Sequence, residues 1–169
     1  MTWERRPRSF ILDLLTKEAE MKSSLTMAHV ITQVARENHI DLTIVGARME
    51  LQKDGYQPLV VEVTLERQIQ VAHWFEENFD IVPWPCLTFV VVSEDQWIPI
   101  DKTESIGGLQ SFGYADSEKV VVTDIRGQHD LADFADHWAE DIQAGWLHHA
   151  EVKTSGPPES ILETEDVPF

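Results

Sequence analysis

Val45-Gly46-Ala47-Arg48-Met49-Glu50-Leu51-Gln52-Lys53-Asp54-Gly55-Tyr56-Gln57-Pro58-Leu59-Val60-Val61-Glu62-Val63-Thr64-Leu65 reads as two strands joined by a turn. Ala47, Met49 and Leu51 alternate with Arg48 and Glu50; Leu59, Val61, Val63 and Leu65 alternate with Val60, Glu62 and Thr64. A period of two with one apolar side marks a half-buried strand. Two registers compete. A two-residue Asp54-Gly55 turn sets Ala47 against Glu62, core against polar. A three-residue loop Lys53-Asp54-Gly55, with Gly55 left-handed, pairs Met49 with Leu59 and Ala47 with Val61. The second keeps one face apolar and is the expected hairpin over residues 41–66.

Working outward toward the N-terminus, residues 1–8 form a basic arm in which Trp3 stands among Arg5, Arg6 and Arg8. Ser9 fits an N-cap, with Phe10, Ile11, Leu14 and Leu15 at helical spacing behind it. Ser23-Ser24 interrupts, and Met27, Val30, Ile31 and Val34 make a second helical stripe that ends at Asn38-His39.

Toward the C-terminus, Leu65, Ile69, Ala72 and Phe79 recur at helical spacing, so 68–79 is expected to be a helix. Pro83-Trp84-Pro85 is a rigid connector. Leu87–Val92 is a continuous apolar run suited to a central strand. Trp97–Ile100 is a short strand, placed at a sheet edge by Pro99 and so a candidate homo-oligomer contact. Residues 101–118 read as irregular, 119–125 as a strand, and Arg126-Gly127 as a turn. Asp130 then caps a helix whose inner stripe is Leu131, Phe134, Ala135, Trp138, Ile142 and Trp146; His148-His149 suit its negative pole. The order is ααββαβββα. The expected fold is α+β, a mixed or antiparallel sheet of about five strands flanked by helices. It forms one domain over 9–150, followed by a flexible acidic tail over 151–169.

The chain has 169 residues, a formal net charge of −17 and 13 Lys+Arg against 30 Asp+Glu. Residues 128–169 hold 10 of the acids and a single Lys, so the last quarter carries over half of the excess. That argues against a broad phosphate-binding surface, which needs clustered Lys and Arg. It suits a basic protein partner, mimicry of nucleic acid, or a salt-adapted host. Cys86 is the only cysteine, which excludes an intramolecular disulfide and a Cys-based zinc site and fits a reducing cytoplasm. No apolar run reaches the length of a membrane span, so no membrane partner is expected.

The acidic excess ends in Glu163-Thr164-Glu165-Asp166-Val167-Pro168-Phe169. A terminal Phe offers a ring for an apolar pocket and a carboxylate for an Arg or Lys at its rim. Pro168 lowers the ordering cost, and Glu163, Glu165 and Asp166 speed association with a basic surface. These residues resemble the C-terminal tip of bacterial single-stranded DNA-binding proteins, where acids precede an aliphatic-Pro-Phe end. The resemblance implies docking on replication, repair and recombination proteins. It does not extend to the body, because the strand-first order of an oligonucleotide-binding barrel is missing.

Two constellations suggest metal chemistry. Asp41, Glu50 and Glu62, with Gln68 and Gln70 following, resemble a PD-(D/E)XK nuclease, where carboxylates hold Mg²⁺ for phosphodiester hydrolysis. The family's Lys two residues after the acid is Thr64 here. Asp133, His137 and Asp141 share one face of the last helix at zinc-compatible spacing, although that face is also where any helix places its charge. No nucleophile elbow or phosphate loop occurs, and no cofactor is implied. Trp84, Trp97, Phe112 and Tyr114 are the aromatics expected to be exposed, for stacking unpaired bases or meeting a partner. The reading favoured is a non-enzymatic protein of DNA metabolism that binds single-stranded DNA or protein through its body and recruits enzymes through its tip. A nuclease, active or degenerate, and an acidic adaptor, chaperone or DNA-mimic inhibitor are the alternatives.

Overall fold

The computed structural model describes residues 21–104, 107–116, 119–145 and 151–155. Strands β1 (Arg48–Gln52) and β2 (Leu59–Leu65) pair antiparallel, Met49 facing Val61 and Leu51 facing Leu59. The register lies two residues from the expected one. A shift of two leaves every side chain on its face, so the apolar side survives. The shift brings Leu51 opposite Leu59, both buried, where the shorter loop would have set it opposite Gln57. Gly55 does take a left-handed φ of 81°.

The largest departure is residues 68–79. They form strand β3 (Gln68–Glu77), which pairs with β2 on one side and β4 (Asp80–Ser93) on the other. Ile69 and Val71 enter the core while Gln68 and Gln70 face away, a period of two beneath the helical spacing of Leu65, Ile69 and Ala72. Strand β5 (Gln96–Glu104) runs beyond the expected Trp97–Ile100. The stretch expected to be irregular supplies β6 (Gly108–Ser111) and β7 (Gly113–Ala115); β8 (Val120–Val122) pairs with β7 alone. Glu151–Ser155, expected to open the tail, is β9 and pairs with β1 over five residues. Its Val152 packs on the core, which an acidic count conceals. The main sheet is seven-stranded, in the order β6-β5-β4-β3-β2-β1-β9, and all its pairings are antiparallel.

Helices α1 (Leu25–Glu37) and α2 (Ile125–Gly145) bury their apolar stripes in one cluster with Met49, Leu59, Val61, Val71, Leu87, Phe89 and Trp97. The fold is α+β. Helix α1 closes as Asn38 Nδ2 donates to Val34 O (2.8 Å), and His39, at φ 57°, takes the left-handed position. Its other end is capped across the interface: Asp136 of α2 accepts from Ser24 Oγ (2.7 Å) and the Thr26 N–H (3.1 Å). A carboxylate at a helix N-terminus meets the orphan N–H groups and the positive dipole end together. Helix α2 begins five residues before the expected Asp130. Asp124 Oδ1 accepts from the Gly127 N–H (2.9 Å), and Arg126-Gly127 lies inside the helix.

Trp97–Ile100 is not a free edge. Strand β6 covers only Asp101–Glu104, but the carbonyls of the first half are taken by other elements. Trp97 O accepts from the Ser24 N–H (2.8 Å) and Ile100 O from the Phe112 N–H (2.8 Å). Pro99 O accepts from Gln128 Nε2 (3.2 Å). With these carbonyls satisfied, this half of β5 offers no free ladder edge. No helix among the described residues is long and apolar enough to cross a membrane.

Candidate functional site

The expected nuclease carboxylates do not converge. Glu50 and Glu62 alternate with the core residues Met49 and Val61, so they stand on the sheet face away from the helices. Glu62 faces Arg48 in register, and Glu50 Oε2 accepts from Arg48 Nη2 (3.3 Å). Asp41 lies on the helix side, beside α1. Its carboxylate accepts from the Thr43 hydroxyl (2.6 Å) and N–H (2.9 Å), which hold it below the usual carboxylate range. A sheet separates it from the other two.

On α2, Asp133 pairs with Lys22, and its carboxyl is held low mainly by that bond. His137 Nδ1 bonds to Asp133 O (2.7 Å), which raises the imidazole, with Glu140 adding to the effect. Asp133 and His137 thus each have a partner within the fold, and Asp141 is exposed one turn further along the helix. Among the described residues no group of three or more His, Cys, Asp and Glu is placed to hold a metal.

Cys86 is buried on the polar side of the sheet, and burial, with Asp101 nearby, pushes its thiol up to about 11. At pH 8 about one such thiol in a thousand is ionised. Iodoacetamide is expected to alkylate the native chain about tenfold or more slowly than the urea-unfolded chain; matching rates in an intact-mass time course would contradict the buried placement.

Two of the four expected surface aromatics are in fact covered. Trp97 is 1% exposed and packs at a tilt against Phe89, with ring centroids 5.8 Å apart, and Phe112 packs half-buried against the core. Trp84 and Tyr114 are exposed. Trp3, Arg5, Arg6, Arg8, Trp146, His148, His149 and the tip residues Glu163, Glu165, Asp166, Val167, Pro168 and Phe169 lie outside the described residues.

Two surfaces carry the remaining chemistry. The first is a groove of about 780 Å³ between the end of α1 and the sheet. Ile69, Val91 and Trp97 form its apolar floor and Ala35, Ile40 and Leu42 its wall. An Arg36–Glu94 ion pair (2.6 Å) sits at its rim. The second is the sheet face away from the helices. There Ser155, Arg48, Glu62, Gln70, Thr88, Asp101 and Ser111 are successive register partners across all seven strands. The groove offers shape and apolar area, and the polar row offers hydrogen-bond donors and acceptors. Both are means of binding. Sequence reading missed the groove because its wall and floor come from elements more than 20 residues apart. A helical reading of 68–79 also hid the continuity of the polar row.

A family model described as a domain of unknown function (DUF6908) matches residues 19–145, from just before α1 to the end of α2. No curated protein and no solved structure matches the chain.

Proposed function

The chain belongs to the DUF6908 family, and we propose that it is a non-enzymatic, cytoplasmic protein of DNA metabolism that docks on replication, repair and recombination proteins through its acidic C-terminal segment. One observation carries this reading: three acids lead into Val167-Pro168-Phe169, the order found in the tips of single-stranded DNA-binding proteins. Strand β9, which leads toward this segment, lies at the outer end of the sheet and stops at Ser155. Fourteen residues, 156 to 169, span at most about 50 Å when fully extended.

The body then has two candidate roles, holding single-stranded DNA or holding protein. Its net charge of −17 favours protein.

Deleting Val167–Phe169 is expected to weaken binding to purified enzymes that recognise such tips by about thirtyfold, the worth of one buried Phe and its carboxylate contact. Phe169→Ala should reproduce most of that loss. Capture of the same enzymes at unchanged affinity by the truncated chain would sink the proposal. A single-stranded oligonucleotide, titrated by fluorescence anisotropy at low and high salt, separates the two roles of the body.

A further inference from the structure

Strands β3 and β4 outrun their neighbours. The last residue of β3 paired with β2 is His73, opposite Leu59, and the β5 ladder on β4 ends at Cys86, opposite Thr103. Beyond these points Trp74–Glu77 and residues 80–85 have no strand partner but each other, in the register Trp74–Pro83, Phe75–Val82, Glu76–Ile81 and Glu77–Asp80, with one tie at the base where the Trp74 N–H donates to Pro58 O (3.2 Å). The result is a two-stranded finger projecting past the sheet.

Its tip is built against local preference. Asn78 and Phe79 are the two turn residues, at φ 53° and 70°. Two positive φ values mark the turn that matches strand twist, and Gly is the residue that relaxes the second position. Phe is there instead, 96% exposed, with Ile81 at 73% and Trp84 at 47%. A bulky residue kept in a strained conformation with its ring in solvent stabilises nothing in the finger itself. Such an outlier points to use by another molecule.

The surrounding charge selects the occupant. Glu76 and Asp80 flank the apolar residues, no Lys or Arg occurs in sequence between Arg67 and Lys102, and Arg48, which lines the concavity at the finger's base, is paired with Glu50 (3.3 Å). Nucleic acid and anionic lipid are repelled by such a surface. A second copy brings another −17. What remains is a protein that combines an apolar pocket with a basic rim.

We propose that the β3–β4 finger is a docking element for such a protein, with Phe79 entering the pocket and Glu76 and Asp80 facing Lys or Arg around it. An aromatic anchor within a ring of weaker contacts is the usual anatomy of a binding hot spot. The proposal stands on the finger's own geometry and goes beyond the tail.

The test uses the full chain with the photocrosslinker p-benzoylphenylalanine at position 79, irradiated in living cells of the source organism. The captured protein is identified, its crosslinked peptide mapped, and its affinity for the parent and variant chains measured in purified form. The expected crosslink maps to an apolar site flanked by Lys or Arg, and it persists in a chain lacking Val167–Phe169. Phe79→Gly should weaken binding by about tenfold or more while leaving the melting temperature unchanged or higher, because Gly relaxes the turn. Glu76→Lys with Asp80→Lys should weaken binding and flatten its salt dependence. The proposal is overturned by any of four results: no protein crosslink, a crosslink to nucleic acid or to a second copy, a crosslink lost with the tail, or Phe79→Gly binding within about twofold of the parent.

Discussion

Gln128→Ala is expected to lower the free energy of unfolding by about 3–4 kcal/mol, measured by urea denaturation with tryptophan fluorescence. Gln128 is 0% exposed, and its amide makes three bonds. Oε1 accepts from the Lys22 N–H (2.9 Å), and Nε2 donates to Lys22 O (2.7 Å) and Pro99 O (3.2 Å). One side chain thus joins α2, the strand β5 and the segment leading into α1. Removing it leaves the half-buried Lys22 N–H and C=O and the buried Pro99 C=O short of partners and opens a cavity; each loss costs about 1 kcal/mol. Gln128→Met separates the contributions, since it keeps most of the volume and none of the bonds. It should still cost about 2 kcal/mol. Gln128→Glu keeps the shape and the bond from Lys22 N–H but turns an oxygen toward both carbonyls, so it should be no better than Ala. A Met variant within about 0.5 kcal/mol of the parent would show that packing alone holds this junction.

The same residue explains why the edge at Trp97–Ile100 was misread. Proline within a strand does favour an edge, and β5 does lack a strand partner along that half. What fills the place is a helix N-terminus, a loop N–H and a glutamine amide, all distant in sequence. Local rules see the missing strand and not its substitutes. The β2–β3 turn follows the same logic. Glu66-Arg67 carries no Gly, Asn or Pro, so nothing local announces a hairpin. Arg67 nevertheless stands at φ 60°, its carbonyl accepting from the Val91 N–H (2.8 Å) and its Nε donating to Val91 O (3.2 Å). Strand β4 holds a turn that the sequence of the turn does not specify. With that turn hidden, the chance helical spacing of Leu65, Ile69 and Ala72 outweighed the alternation of Gln68, Ile69, Gln70 and Val71. The strongly periodic elements were legible: the stripe of α1, the two faces of β1 and β2, and the apolar run of β4.

The candidate site was legible in a different measure. Carboxylates such as Asp41 and Glu62 are close in sequence yet on opposite sides of the sheet, and face assignment settles this only when every strand is known. Trp97 and Phe112, expected at the surface, instead pack on the core among elements that return from far along the chain. Phe79, expected on a helical stripe with Leu65, Ile69 and Ala72, stands in solvent. Only the pairing of Glu77 with Asp80 turns it outward at a tip.

Gly127 shows how a misread turn residue becomes a packing requirement. An added Cβ at this position would overlap the Phe112 ring and stand 2.7 Å from Asp124 Oδ2. Phe112 cannot simply withdraw, because its N–H donates to Ile100 O (2.8 Å) and its carbonyl accepts from the Thr123 N–H (2.9 Å), and its ring packs on the core. Asp124 cannot withdraw without releasing the cap on the Gly127 N–H. Gly127→Ala is therefore expected to cost about 2 kcal/mol net: overpacking of about 1–3 kcal/mol and loss of a cap of about 1 kcal/mol, against about 1 kcal/mol gained in helix propensity. At a helical glycine with open space around its would-be Cβ, such as Gly145, the same change should be neutral or stabilising. The paired measurement makes the argument specific. If Gly127→Ala and Gly145→Ala shift the urea midpoint in the same favourable direction, the close approach of Phe112 to α2 does not constrain position 127. If Phe112→Ala combined with Gly127→Ala costs less than the sum of the two single changes, the coupling between ring and glycine is measured directly.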